Sequence, residues 1–195
     1  MNNGLSVFGF VLLINFAAQC VAQCPGIEIV PRDGWGARKP KNVVRMPNPV
    51  ARYVFIHHTT GAGCNSKASC GRLMRGFQSY HMGKGWSDIG YSFLIGGDGR
   101  VYTGRGWGVV GAHTVGYNSN GVAFSFIGDY SRSAPNAKML SAAQKLLSCG
   151  VSKGKINRNY SLHGHRDANP TACPGDSLYN IIKGWPRFGG RLRKG

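Results

Sequence analysis

The sequence is short of acidic residues. Seven Asp and Glu stand against 24 Lys and Arg, which gives a formal net charge of +17. A small domain needs a net charge of only about 2 to 8 to stay soluble, so this excess favours an anionic partner. Nucleic acid, an anionic membrane and a cell wall all qualify by charge. Zinc-finger spacing, a helix-turn-helix and the aromatic-basic pattern of RNA-binding modules are absent, however, so nucleic acid is not the expected partner.

Long apolar segments are also lacking, except at the start of the chain. Residues 1–23 contain no Lys, Arg, Asp or Glu, and residues 5–18 are mostly apolar. This is typical of a secretory signal peptide, although its usual positive charge is missing. Small residues place cleavage after Ala22, so we expect a signal peptide at residues 1–22 and a secreted protein. An uncleaved membrane anchor is the alternative, which the short apolar core disfavours. No later segment is apolar enough to span a bilayer.

Internal repeats and low-complexity linkers are absent as well. A chain of 195 residues suits one domain with its own core. We therefore expect residues 23–195 to form a single domain. Residues 24–50 are rich in Pro, Gly and Arg and indicate a short extended arm, and the C terminus carries a basic tail.

Hydrophobic periodicity predicts alternating strands and helices. Strands are expected at residues 52–57, 91–95, 100–103, 121–127 and 160–163, with a hairpin turn at 96–99. Apolar residues at helical spacing predict helices at residues 66–82, 136–150 and 176–185, the second ended by Gly150. This alternation favours an α/β fold, with a central mixed β-sheet flanked by helices.

Six cysteines in a secreted chain indicate disulfides. Cys20 leaves with the signal peptide, and five remain: Cys24, Cys64, Cys70, Cys149 and Cys173. An odd number leaves one thiol unpaired. Because secretion oxidises idle thiols, a bound metal that protects one of them would account for the remainder.

Two histidines and one cysteine have the residue types of a catalytic zinc site. His57 ends a predicted buried strand, and His165 and Cys173 lie eight residues apart. Catalytic zinc uses three protein ligands, drawn from imidazole nitrogen and thiolate sulfur among others, and leaves one position for water. Core histidines and an inert buried thiol are the alternative. His163 is a competing ligand, because alternate residues on a strand share a face with His165.

Several motifs recur in a recognisable order. They are His57-His58-Thr59, Tyr80-His81-Met82, the run from Gly85-Trp86 through Tyr91 to Gly99, the run from Val101 to Trp107, Gly111-Ala112-His113 and Gly164-His165-Arg166-Asp167. Together they resemble the short peptidoglycan recognition proteins, whose amidase domain is related to bacteriophage amidase-type lysozymes. The resemblance covers about residues 26–188.

The resemblance implies a zinc-dependent amidase. Catalytic members of the family bind zinc at the positions of His57, His165 and Cys173, whereas members that only bind usually replace the cysteine, often by Ser. Tyr91 matches a tyrosine required for activity, whose hydroxyl can hydrogen-bond the reacting water or the oxyanion. Thr171 matches a further active-site position. The bond cut in the family is the lactyl amide between N-acetylmuramic acid and L-alanine, and no Asp or Glu stands out as a general base.

The resemblance also assigns binding positions and disulfides. Stem-peptide-binding positions fall on His58, Thr59, His81, Lys84, Gly85, Trp86, His113 and Asn118. Gly-Trp at positions 85 and 86 implies peptidoglycan with diaminopimelic-acid stems, where Asn-Phe would imply lysine stems. Cys64 with Cys70 matches the family's characteristic bridge, and Cys24 with Cys149 matches a bridge of some short members, although four cysteines allow three pairings.

Two other functions compete with hydrolysis. One is a non-catalytic recognition protein of innate immunity that signals or agglutinates bacteria. The other is a basic antimicrobial protein that acts on anionic bacterial envelopes by charge. The presence of all three expected zinc ligands favours the amidase.

Overall fold

The computed structural model describes residues 24–192 of the chain. The expected signal peptide and its cleavage site lie outside the described residues, as do the last cationic residues of the basic tail, Arg193 and Lys194. Within the described part, no helix is both long enough and apolar enough to cross a bilayer.

A six-stranded mixed sheet forms the centre of the fold. The strands are β1 (Ile29–Val30), β2 (Ala51–His58), β3 (Phe93–Ile95), β4 (Val101–Thr103), β5 (Gly121–Phe126) and β6 (Ile156–Gly164). Their order is β1-β4-β3-β5-β2-β6, and every neighbouring pair is parallel except the β3–β4 hairpin. Central strands β2 and β5 are almost entirely buried, as parallel strands covered on both faces are. The predicted α/β fold with a mixed sheet is confirmed.

Three helices cover the two faces of the sheet: α1 (Lys67–Gly83), α2 (Ala137–Ser152) and α3 (Asp176–Ile182). The Ser66 hydroxyl caps α1 by accepting from the Ser69 amide, and the Asn136 side chain caps α2 by accepting from Met139. One core cluster joins Ile56 on β2 to the apolar faces of α2 and α3. A second cluster lies on the opposite face, under α1. The molecule therefore has three layers, and its helices lie close to the predicted positions.

Alternation along β2 decides which layer each functional side chain faces. Val54 and Ile56 belong to the core beneath α2 and α3. Because successive side chains on a strand point to opposite faces, Phe55 and His57 face the side of α1. His58 points back toward the other layer. The parallel pairing of β2 with β5 and β6 brings the carboxyl ends of three strands together at one edge of the sheet.

Two predicted element boundaries were wrong for identifiable reasons. β3 begins at Phe93 rather than at residue 91, because the carbonyls of Tyr91 and Ser92 accept hydrogen bonds from the Gly104–Gly106 turn instead of a neighbouring strand. The helix predicted to end at Gly150 continues to Ser152. Gly150 is required by packing, since a Cβ there would lie 2.6 Å from the Ile156 side chain.

Three further boundaries also differ. The segment read as an extended arm contains β1, which pairs with β4 at the edge of the sheet. β6 begins at Ile156 rather than at residue 160. The start was missed because residues 157–159 are polar and exposed and break the apolar pattern. The last helix ends at Ile182 rather than at residue 185. Trp185, read as helical, folds back in a turn and is buried against the core.

Two disulfides form as the resemblance implies. Cys24 pairs with Cys149, which ties the N-terminal arm to α2 across 125 residues of chain. Cys64 pairs with Cys70 across six residues, at the start of α1. Among the described residues, Cys173 is the free cysteine.

The two disulfides should differ in their contribution to stability. In the chain-entropy account, a cross-link stabilises more when it closes a longer loop of the unfolded chain. We expect Cys24→Ala with Cys149→Ala to lower the free energy of unfolding by about 5 kcal/mol, and Cys64→Ala with Cys70→Ala by about 2 kcal/mol. Denaturant unfolding of both double variants measures this difference. Equal losses would contradict the loop-length argument, and an unchanged midpoint for the second pair would show that this bridge does not stabilise the fold.

Candidate functional site

Three side chains that could hold a metal ion meet at the carboxyl ends of β2 and β6. His57 lies near the end of β2, His165 begins the short 3-10 turn after β6, and Cys173 lies in the loop that follows. One ligand atom from each lies within 4.8 Å of the others. The His57 Nδ1 atom lies 3.7 Å from Cys173 Sγ. The resemblance implied these three residues as a set, and the parallel pairing of β2 with β6 brings them together.

His163 is not part of this group. β6 pairs His163 with Phe55, two residues before His57 on β2, so His163 lies further from the ends of the strands than the group does. The His163 ring packs beside Tyr53 and Phe55, and its Nδ1 atom lies 2.7 Å from the Gly190 carbonyl oxygen. The competing ligand considered from the sequence is therefore excluded by the register of β6 against β2.

His57, His165 and Cys173 are called the three donors, because each offers one atom that could bind a metal. Burial controls their protonation. The pKa of His57 lies well below its ordinary value because the ring is buried, and the nearby His165 and His113 lower it further. Burial also raises the pKa of the Cys173 thiol to about 12. Without a cation, the group therefore consists of neutral imidazoles and a protonated thiol. Imidazole nitrogen and cysteine sulfur are both zinc ligands, and three protein ligands are the number that catalytic zinc uses. A divalent ion would supply the charge that releases the thiol proton.

Each of the three donors also contacts a further residue. The Thr114 hydroxyl lies 3.2 Å from His57 Nε2, and Asn169 Oδ1 lies 3.2 Å from His165 Nε2. The backbone amide of His58 donates to Cys173 Sγ at 3.4 Å. Since His165 and Cys173 are each half-buried, the group is reachable from the surface.

Tyr91 lies beside the three donors, as expected. Its ring centroid is 5.4 Å from that of His57 and 5.7 Å from that of His81. Burial raises the pKa of the Tyr91 phenol, and the neighbouring Cys173 raises it further, while the Ser125 hydroxyl acts in the opposite direction. The phenol therefore stays protonated and available as a hydrogen-bond donor.

The residues expected to form a groove for the peptide stem lie together at the end of α1 and in the loop after it; they are His81, Lys84, Gly85 and Trp86. Trp86 stacks on His81 with ring centroids 4.7 Å apart and planes at 11°. His81 Nδ1 accepts from the Gly90 amide, and burial lowers the pKa of this ring to about 4, assisted by Lys84 and Arg105. Rings therefore follow one another from His57 through Tyr91 and His81 to Trp86. Lys84 lies further out, with its ammonium over the exposed ring of Tyr80.

His113, Asn118 and Thr171 also belong to this area. The His113 ring meets His57 edge to face at 5.3 Å. Its pKa is lowered to about 3 by burial first and then by His165 and Arg105, with the Gly121 carbonyl acting against them. Asn118 Oδ1 accepts from the amides of His113 and Thr114, and so shapes the loop. Thr171 is exposed, and its hydroxyl accepts from the Cys173 amide at 3.2 Å.

The side chains of His58 and Thr59 point away from the three donors. His58 Nδ1 accepts from the Tyr130 amide and lies 3.8 Å from the Asp129 carboxylate. The Thr59 hydroxyl accepts from the Gly128 amide. In this structure both side chains therefore fix the 128–130 loop, while the backbone of His58 contacts Cys173.

Sequence reasoning missed Thr114 and Asn169. Neither belongs to a spacing pattern, and the partners they contact lie 57 and four residues away along the chain, respectively. Thr114 follows a motif histidine directly, and Asn169 lies four residues after a second motif histidine. Both arrangements are common in proteins, so no local signal distinguishes these residues. Ser125, a fully buried serine paired with His57 across β5 and β2, was missed for the same reason.

Comparison with known proteins agrees with this geometry. The family model described as N-acetylmuramoyl-L-alanine amidase matches residues 46–176. Peptidoglycan-recognition protein SC1a of Drosophila melanogaster is 41% identical over 187 residues, which cover 95% of this chain and 100% of the relative.

Solved structures agree as well. Wild-type Drosophila PGRP-LB superposes with a TM-score of 0.83 at 44% identity, covering 86% of this chain and 99% of the other. Human PGRP-IBETAC in complex with glycosamyl muramyl pentapeptide superposes with a TM-score of 0.80 at 45% identity, covering 85% and 99%. The family expected from the sequence motifs is thereby confirmed: the chain belongs to the peptidoglycan-recognition proteins of the N-acetylmuramoyl-L-alanine amidase family.

Proposed function

We propose that this protein is a secreted, zinc-dependent amidase that binds bacterial peptidoglycan and hydrolyses the lactyl amide between N-acetylmuramic acid and L-alanine, as part of innate immunity. The observation that carries the proposal is the convergence of His57, His165 and Cys173, with ligand atoms within 4.8 Å of one another. Two disulfides, with Cys173 left unpaired, agree with an oxidising, extracellular environment in which a metal protects the remaining thiol.

Each residue of the site has a defined task in this proposal. His57, His165 and Cys173 would hold the zinc ion, which when bound lowers the pKa of a water and polarises the amide carbonyl. Tyr91 is a protonated phenol beside His57, so its hydroxyl would donate a hydrogen bond to the oxygen on which negative charge develops. Thr171 holds the amide of Cys173 and thereby the loop that carries the thiolate.

The groove would bind the peptide stem. Lys84 offers a cation for a stem carboxylate, and Trp86 stacked on His81 offers an apolar wall. Gly85 has φ +89, a left-handed conformation that favours glycine and keeps this rim free of a side chain. The human relative that contains glycosamyl muramyl pentapeptide supports a ligand of this class. We propose stems with diaminopimelic acid as the preferred ligand.

Release of stem peptides from purified peptidoglycan, with and without a chelator, tests the proposal. Zinc-dependent release of peptides that begin with L-alanine supports the amidase. Binding without any release would identify a non-catalytic recognition protein instead. Killing of bacteria without either binding or release would indicate a basic antimicrobial that acts by charge.

Cys173→Ser should abolish cleavage while peptidoglycan binding persists. Replacing the thiolate removes one of three zinc ligands, whereas the groove at His81, Lys84 and Trp86 is untouched. We expect cleavage to fall by at least about 100-fold, with metal content measured on the same sample. His165→Gln should behave alike, and His163→Gln, outside the group, is the matched control that retains zinc. Full activity in Cys173→Ser would refute the zinc assignment.

Tyr91→Phe should lower kcat without releasing the metal. The variant keeps the buried ring and removes one hydrogen-bond donor from the site, a change that costs about 100- to 1,000-fold in comparable oxyanion sites. Steady-state kinetics on a soluble muramyl peptide, together with zinc content, measures this effect. An unchanged kcat at full zinc loading would exclude a role for the hydroxyl.

Gly85→Asn combined with Trp86→Phe should shift the stem preference from diaminopimelic acid toward lysine. The change alters the rim of the groove and leaves the three donors in place, so zinc content should be unchanged. Binding of both peptidoglycan types to the double variant and to the original protein measures the ratio. A ratio that does not move would contradict the assignment of specificity to these two positions.

A further inference from the structure

One loop contacts both histidines of the three-donor group. The segment from His113 to Asn118 reaches His57 through Thr114, and it reaches His165 through Asn169, whose carboxamide is clasped by the backbone of Val115. A histidine can bind a metal only through a ring nitrogen that carries no proton, so whatever binds the other nitrogen decides how the ring is used.

The orientation of the Asn169 carboxamide is fixed by backbone groups. Its Oδ1 atom accepts from the Val115 amide at 3.0 Å, and its Nδ2 atom donates to the Val115 carbonyl at 3.2 Å. A backbone amide can only donate and a carbonyl can only accept, so Oδ1 is an acceptor for His165 as well. The His165 Nε2 atom, at 3.2 Å from it, must therefore carry the proton. Nδ1 is then the free nitrogen.

Thr114 is the corresponding hydrogen-bond partner of His57. Its hydroxyl is fully buried and lies between His57 Nε2 at 3.2 Å and His113 Nδ1 at 2.9 Å. A hydroxyl donates one proton, and a buried one needs an acceptor for it. The hydroxyl can satisfy both contacts in two ways. If it donates to His57 Nε2, then His113 Nδ1 donates to it and the proton of His57 lies on Nδ1, where a metal cannot bind. If His57 donates from Nε2, the hydroxyl proton goes to His113 Nδ1. His57 Nδ1, the atom that faces Cys173 Sγ, is then left without a proton.

We propose that Thr114 and Asn169 are positioning residues that set the tautomers of His57 and His165, so that both rings present Nδ1 to the metal. The proposal rests on the function proposed above and adds a constraint that the three donors alone do not supply. It also links metal binding to the groove, because Asn118 holds the same loop by accepting from the amides of His113 and Thr114.

The same arrangement determines the state of His113. When the Thr114 hydroxyl donates to Nδ1, the neutral His113 ring carries its proton on Nε2. That atom is buried and has no hydrogen-bond partner among residues 24–192. The protonation of the His113 ring thus follows from that of His57 through one hydroxyl.

Metal affinity tests the proposal. Thr114→Val keeps the shape of the side chain and removes the hydroxyl, and Thr114→Ser restores it. We expect Thr114→Val and Asn169→Ala each to weaken zinc binding by about 10- to 100-fold in competition with a chromophoric chelator. Thr114→Ser should bind like the original protein. Thr103→Val on β4 is the matched control, and thermal unfolding of every variant shows that the fold is retained.

Histidine-ring NMR provides a readout that needs neither activity nor metal. In the zinc-depleted protein, long-range proton–nitrogen correlations should show both His57 and His165 protonated at Nε2. Thr114→Val should shift only His57 toward a mixture of tautomers, and Asn169→Ala only His165. Unchanged tautomers and unchanged zinc affinity in both variants would overturn the proposal. A protein that has these tautomers but neither binds zinc nor cleaves would refute the proposed function and leave the positioning roles standing.

Discussion

The site depends on the opposition between burial and charge at three side chains. Two imidazoles and a thiol are brought within 4.8 Å of one another, and burial opposes charge on the most buried of them. The imidazoles lose their tendency to take up protons, which leaves lone pairs available, while the thiol cannot ionise by itself. A divalent cation resolves this opposition, because it supplies the positive charge that a desolvated thiolate needs. The geometry is therefore suited to a metal and poorly suited to a thiol nucleophile, which would require a lowered pKa.

The fold supplies this arrangement through the parallel sheet. Side-by-side parallel strands end at the same edge, so the residues that follow β6 come close to the end of β2 without any long excursion of the chain. The core beneath α2 and α3 holds the alternate residues of β2, which leaves His57 facing the side of α1. The same helix carries His81, and Tyr91 lies between the two histidine rings. The proposed metal site and the residues expected to form the groove thus lie in one layer of the molecule.

Much of this could be predicted from the sequence, and the limits have physical causes. Ligand types and the odd cysteine indicated a metal site but left His163 open, and the resemblance of the motifs to the family then selected the three donors. The helices were found from periodicity, whereas their ends were not, since Gly150 serves packing rather than termination. The choice between His163 and His165 depended on the register of β6 against β2, which hydrogen bonds between strands decide. The contacts of Thr114 and Asn169 could not be predicted from the sequence, because they depend on the histidines that folding places beside them.

The scarcity of acidic residues has a consequence for the reaction as well as for the partner. Several carboxylates are engaged in holding the fold: Asp88 binds Arg32, Asp98 binds Arg100 and Tyr102, Asp167 binds Tyr179, and Asp176 binds Arg166. Within residues 24–192, none of them joins the three-donor group. A thiolate with two neutral imidazoles would then leave a bound divalent ion with a net charge of about +1. With no carboxylate to offset it, this charge would attract a developing oxyanion in the proposed reaction, and a proton acceptor at the site would have to be a histidine or water.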